Sequence, residues 1–499
     1  MARPVVCIVG ASVAGLEALL WAGEALGDRA ELQLIAPDNE FRYRPMNSGS
    51  LFRPARERGL AIADLVAEAG ASRVADRVDA VHQPERQLLT RDGDIYAFDY
   101  LLIALGARSK RAVSRGYLWE RGHDPGFLDR TIAEVAAGRV RSVAVVVPRG
   151  ARWPIPAYEL ALVLAWTASG TGARIALVTP EEHPLAALGP EATEAVSREL
   201  DSAGVETISG VELLDEPRPE DQPIRPTDLV LLPEEPDARA GSLTGRPTDP
   251  ARLRLGEGSP VHYDRLISLP TVEGPFLAGV AEDADGFIEV DDGLKVCGSD
   301  RVWAAGGCVA AALEHSALGA RQADSAIAAI VAAITGESST EPPAPTGAPE
   351  LTGILLTGHR DQWRAENPPG TQEPSTRCLW WPPGRAVGRM LAQRIAAWDP
   401  SLQPALPAHP SGLLIRVPVA LGCNHTPSVT ARDEVTSEVR VARQHDIENR
   451  QLLAVKRRER AANAQIEAMD AELHTLAEHQ QEAIRELKQH GYLTHHGPV

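Results

Sequence analysis

The sequence has few cysteines, no two of them at CxxC spacing, and no long uninterrupted apolar run. Cys7, Cys297, Cys308, Cys378 and Cys423 form an odd, scattered set without CxxC or metal-ligand spacing. That excludes a disulfide framework and a zinc cluster, and it suggests reduced thiols in a cytoplasmic setting. No stretch reaches the ~18 apolar residues of a membrane-spanning helix, which leaves only peripheral membrane contact open. No apolar leader with a cleavage site follows Met1, so a secretory signal is not expected. Positive charge is also short. Against 68 Asp and Glu stand 50 Lys and Arg, and the net charge of -18 repels nucleic acid and anionic lipid.

What is present is a globular composition. The 499 residues suffice for about three domains, and 44% apolar with 24% charged residues can bury real cores. Residues 4–9 are a continuous apolar run, as in a parallel strand buried on both faces. Gly10-Ala-Ser-Val-Ala-Gly15 follows, then a helix predicted over residues 16–26 and a second strand over 31–36. Strand, glycine turn, helix and strand open a βαβ unit. The turn is a variant of GxGxxG, in which Gly10 allows the tight turn and Gly15, after Ala14, lets the helix approach the strand. Ser12 takes the middle place, where the backbone nears a pyrophosphate held at the positive end of the helix. The acid expected to hold a ribose is replaced by Ala36; Asp38 and Glu40 either substitute for it or are ordinary loop acids.

A further apolar strand over 100–105 ends at Gly106. A strand at 143–147, a helix at about 156–169 and a strand at 175–179 make a second βαβ unit. A helix is predicted over 191–203, short strands over 211–214 and 229–232, and a strand over 301–305 that leads to Gly306-Gly307 and a helix over 319–334. Residues 336–350 read as a linker rich in Ser, Pro, Thr and Gly. Residues 351–400 form a smaller segment holding Trp363, Trp380, Trp381 and Trp398, and 401–432 are a proline-rich connector.

The tail lacks Gly, Pro and aromatic residues over 433–489. Leu452, Val455, Ala462, Ile466, Met469, Leu473, Leu476, Ala483 and Leu487 share one heptad register, interrupted by Glu459 and Gln480. Residues 433–490 are therefore read as a long helix, either a coiled coil joining copies or a protein partner, or a helix packed on its own domain. The fold class expected is α/β: two Rossmann-like, three-layer dinucleotide-binding domains, a small C-terminal segment and this helix.

The motifs resemble a known group. They are Gly10 to Ala18, Leu34 to Pro45, Phe98 to Ala107, Trp153 to Glu159, Val302 to Gly307, Arg321 to Asp324 and Leu379 to Gly384. Over about residues 4–400 the chain resembles the pyridine nucleotide-disulfide oxidoreductase superfamily, nearest to the branch of type II NADH dehydrogenases and sulfide:quinone reductases. That resemblance implies an FAD domain split as 1–110 and 255–335, with an NAD(P)-type domain inserted at 111–254. It implies FAD pyrophosphate on Gly10, Ser12, Ala14 and Gly15, with Asp38 nearby. Arg44 and Pro45 would lie near the flavin, Gly106 near the adenosine half, and Gly306-Gly307 at the ribityl chain. The activity implied is electron transfer from NAD(P)H or another reductant, a small-molecule redox substrate, to a quinone-like acceptor.

The departures are specific. The resemblance calls for an aspartate where Gly307 stands, so restoring it is expected to tighten FAD binding. Glu314 stands where the group has a lysine near the flavin, which would disfavour anionic reduced flavin. The turn Pro148-Arg-Gly-Ala-Arg-Trp-Pro-Ile-Pro156 lacks the glycine cradle that NAD(P)H would need. Arg149 and Arg152 there either meet phosphate or are solvated loop charges. Cys308 and His315 are the candidate catalytic residues: Cys308 as a thiol close to the flavin or a small packed residue, His315 as a proton relay or a surface histidine. The alternative function is a relative whose flavin site has decayed and which acts as a scaffold through its tail.

Overall fold

The computed structural model describes residues 3–42, 59–113, 116–119, 125–211, 213–214, 251–255, 261–311, 313–336, 350–355, 388–398 and 413–418. Arg44, Pro45, the strand expected at 229–232 and the helix expected at 433–490 lie outside the described residues.

The first half of the chain begins with β1 (Val5–Val9), α1 (Val13–Leu26) and β2 (Glu31–Ile35), followed by β3 (Ser72–Val74) and β4 (Tyr100–Ile103). A second set follows: β5 (Tyr117–Leu118), β6 (Ser142–Val146), α2 (Ile155–Ala168), β7 (Arg174–Val178), α3 (Pro190–Ala203), β8 (Glu206–Ile208) and β9 (Arg265–Ser268). The chain then returns to the first set through β10 (Val302–Ala304) and α4 (Ser316–Thr335). Two five-stranded sheets result, ordered β10-β4-β1-β2-β3 and β5-β9-β6-β7-β8, and every pairing within them is parallel.

The continuous apolar run of β1 fits its central place, with Val6, Cys7, Ile8 and Val9 buried between neighbours on both sides. The helix α2 is apolar all round and nearly all of it is buried. Each fully buried Leu, Ile or Val there stabilises the fold by about 1.5–3 kcal/mol. An antiparallel sheet of Val78–His82, Gln87–Thr90 and Ile95–Ala97 joins the core of the first half.

β9 pairs with β6 through Val143–Arg265 to Val146–Ser268, so the chain leaves the second sheet only after 268. The boundary read at 255 falls too early, because the strand that closes the sheet follows it. The return is marked by Leu277 in the first core and by a bridge between Ala80 and Ala278. Part of the proline-rich connector is also ordered: Leu413–Pro418 pairs antiparallel with Glu350–Leu355.

By length and composition α4 is apolar enough to cross a membrane, yet half of it is buried inside the protein. It packs alongside α1 and carries Arg321, Gln322 and Asp324, as a core helix would. The segment after Gly388, including α5 (Leu391–Trp398), docks on α1 by an unexpected device. Glu17 is fully buried on α1 and accepts the backbone N–H groups of Arg389 (2.5 Å), Met390 (2.8 Å) and Leu391 (2.7 Å). It thereby satisfies the otherwise orphaned amides at the start of α5. The Arg389 guanidinium lies over the Trp21 ring, and Arg394 bridges to Glu68.

Candidate functional site

The site starts at the turn between β1 and α1. The Gly10 N–H donates to the Ile35 carbonyl (2.9 Å), and its φ of +103° is one that L side chains rarely adopt. A Cβ on Gly10 would lie 2.4 Å from the Ala104 carbonyl oxygen, and one on Gly15 would lie 2.0 Å from that of Gly10. Only glycine lets strand, turn and helix come this close. Ser12 caps α1: its Oγ accepts from the Gly15 N–H (3.3 Å) and donates to the Ala104 carbonyl (2.8 Å). The hydroxyl therefore ties the turn to the end of β4. The amides of the first helical turn have no intrahelical acceptor, and the positive end of the helix dipole adds to them. Together they make an anion site of the kind a pyrophosphate occupies.

The Gly306-Gly307 turn after β10 lies against this helix end. A Cβ on Gly306 would sit 3.1 Å from the Cβ of Ala14, and one on Gly319 would sit 3.1 Å from the Cα of Gly306. The buried Gln322 fixes the turn, its Oε1 accepting the Gly306 N–H at 2.9 Å. Gly106 closes β4 with open space at its Cα. Gly10, Ser12, Ala14, Gly15, Gly106, Gly306 and Gly307 thus gather at the C-terminal ends of β1, β4 and β10, the edge at which open α/β sheets bind ligands. Asp38 is exposed beyond β2, where its carbonyl and the side chain of Asn39 accept from Arg73.

For Cys308 the structure favours the packed reading, and His315 is placed as a helix cap. Cys308 is fully buried and its thiol contacts the carbonyls of Ala305 (3.3 Å) and Ile103 (3.6 Å). Burial pushes that thiol up to about 11. It is a packed core residue, and its burial disfavours the thiolate that a nucleophile requires. Cys7 is likewise pushed up to about 12 by burial. His315 caps α4, its Nδ1 accepting the Ala317 N–H at 3.2 Å, while its ring packs on Trp153 with centroids 4.6 Å apart. It is placed at the junction of the two halves but is engaged as a cap.

Glu314 bears on Gly307. A Cβ on Gly307 would lie 2.9 Å from Glu314 Oε1 and 3.1 Å from the Ala107 nitrogen. An aspartate at 307 would meet this carboxylate, so Glu314 would have to shift to admit it.

The turn after β6 follows the same path with different chemistry. Pro154 stands at the N-cap of α2 without a side-chain cap, and Pro156 follows within its first two residues. Neither has an N–H, and the Ala157 N–H already donates to the Pro154 carbonyl (3.0 Å). Arg152 is not a solvated loop charge: its guanidinium covers the Phe287 ring at 3.3 Å and donates to the Val309 carbonyl at 2.9 Å. The acid beyond β7, Glu181, accepts from Tyr158 Oη (3.0 Å) and the Ala187 N–H (2.9 Å). Burial and the Glu181 carboxylate raise the Tyr158 phenol well above its ordinary range. This end of the second sheet is thus built from internal contacts. Among the described residues no group of His, Cys, Asp and Glu is arranged to hold a metal ion.

Comparison with known proteins agrees with this geometry. The chain is similar to an NADH dehydrogenase-like protein of Mycobacterium tuberculosis, 27% identical over 331 residues, which span 63% of this chain and 74% of that protein. The sulfide:quinone oxidoreductase of Aquifex aeolicus superposes with a TM-score of 0.54 at 16% identity, over 72% of this chain and 82% of that one. Putidaredoxin reductase, in its covalent complex with putidaredoxin, superposes with a TM-score of 0.50 at 17% identity, over 71% and 80% of the two chains. These likenesses show the fold. Residues 4–223 match the pyridine nucleotide-disulphide oxidoreductase family.

Proposed function

We propose that the protein is an FAD-dependent oxidoreductase that passes electrons from a reductant to a quinone-like or other small acceptor. The observation that carries this reading is the glycine cradle at α1, whose close approaches leave no room for any side chain at residues 10 and 15. Such a cradle fits the diphosphate of a dinucleotide. Gly10, Ser12, Ala14 and Gly15 would hold the diphosphate, and Gly106, Gly306 and Gly307 would flank the sugar chains. Arg44 and Pro45 are proposed beside the flavin on resemblance alone. When bound, the flavin supplies hydride acceptance and one- or two-electron release. The chain's own part is to bind and orient it. His315 is proposed as a polar group beside the reacting ring; Cys308 takes no chemical part.

NAD(P)H is proposed as a transient reductant that docks against the flavin, not as a dinucleotide cradled by the second βαβ unit. Anaerobic titration of the purified protein tests this. NADH or NADPH should bleach the flavin band, and a soluble quinone should restore it. A flavin that neither nucleotide reduces would remove NAD(P)H from the reading. A chain without flavin would remove the reading itself.

A further inference from the structure

We propose that Glu314 is the acceptor that holds the hydroxylated sugar chain of the dinucleotide at the Gly306-Gly307 turn. The inference rests on the FAD reading above and assigns one residue within it. Its basis is the contact at residue 307, where the Glu314 carboxyl occupies the space that a side chain there would take. Glycine at 307 is thus explained by its neighbour: the turn has given up its own side chain to a carboxylate arriving from the approach to α4.

The backbone that carries this carboxylate is held from both sides. The Glu314 N–H donates to the Arg152 carbonyl (3.0 Å), and Arg152 is itself clamped to Val309 and Phe287. The next residue, His315, is fixed as the cap of α4. The backbone at 314 is therefore fixed, and it directs the carboxylate at the Gly307 turn. Its chemistry selects the ligand portion. A carboxylate accepts hydrogen bonds and cannot donate, so it suits hydroxyls and repels phosphate. The diphosphate belongs at the α1 end of the crevice, and the polyol beyond it belongs at the Gly306-Gly307 end, which lies against Ala14.

The test uses the full chain stripped of flavin and titrated with FAD, followed by flavin fluorescence, and with ADP, followed by calorimetry. ADP carries the diphosphate but not the polyol. Glu314→Ala should weaken FAD about ten- to hundredfold and leave ADP unchanged. Glu314→Gln, which keeps a neutral acceptor, should lose less. The double variant Gly307→Asp with Glu314→Ala returns a carboxylate to the same space and should recover most of the FAD affinity. Equal FAD affinity in wild type and Glu314→Ala would overturn the assignment. So would an equal loss for FAD and ADP, which marks a packing role, or a double variant no better than Glu314→Ala. A wild-type chain that binds neither ligand would overturn the FAD reading, and this assignment with it.

Discussion

The turns after β1 and β6 join the same elements in the same order, yet they end in opposite chemistry. Each follows a buried parallel strand, each opens a largely buried helix, and each helix buries a glutamate at its fifth residue, Glu17 in α1 and Glu159 in α2. The first turn spends its small residues on exposing helix amides. The second removes amides with Pro154 and Pro156 and fastens itself to the first half with Arg152 and Trp153. One βαβ unit is proposed as a receptor, and the other is a brace. Parallel sheet topology alone does not make a nucleotide site; the amides at the helix end do.

The largest expected effect comes from closing the receptor. Gly15→Val forces a Cβ onto the Gly10 carbonyl and should cost about 3 kcal/mol or more, with complete loss of flavin from the purified protein. Gly150→Ala, in the loop of the second turn, meets nothing nearer than Thr271 at 3.8 Å and strains only its φ of +85°. That change should cost about 1–2 kcal/mol and leave the flavin content intact. Equal damage from the two, read as melting temperature and flavin absorbance, would erase the contrast.

Next is the clamp on α1. Glu17→Ala leaves three amides of the 389–391 segment without their acceptor and should cost about 2–4 kcal/mol. Limited proteolysis should then cut around residue 388 faster than in the wild type; an unchanged digestion pattern would contradict the docking. Arg152→Ala loosens the brace. Losing its ring contact and its bond to Val309 should lower stability by about 1–2 kcal/mol while the first turn keeps its affinity for ADP. A drop in ADP affinity would show that the two turns are not separable.

The smallest effect belongs to Cys308. Its thiol, pushed up to about 11, stays protonated through the neutral range, so alkylation of the folded protein at pH 8 should mark the exposed Cys297 and spare Cys308 and Cys7. Cys308→Ala should change turnover by less than about twofold and stability by about 1 kcal/mol. Labelling of Cys308 in native protein, mapped by mass spectrometry, would return it to the list of reactive groups.

Much of this contrast was legible in the sequence, and for local reasons. Strand, glycine turn and helix lie within a few residues of one another, so Gly10, Ser12 and Gly15 announce the first turn, and Pro148, Pro154 and Pro156 announce the altered second one. What was hidden depends on partners far away in the chain. Glu17 reads as an ordinary helix glutamate until residues 389–391 arrive 372 or more positions later. The tie made by Ser12 is hidden too, because the carbonyl that takes its hydroxyl belongs to Ala104. The domain boundary was misplaced because β9 closes a sheet whose other strands ended some 60 positions earlier, after β8. Cys308 drew attention by its place beside a glycine turn, and only its burial shows that it is core.

The first turn functions as proposed only if it holds a flavin dinucleotide. Denaturing the purified full-length protein and identifying the released small molecules by absorption and mass spectrometry tests this directly. The prediction is FAD in equimolar amount with the chain. A colourless preparation that takes up no FAD on reconstitution would contradict it.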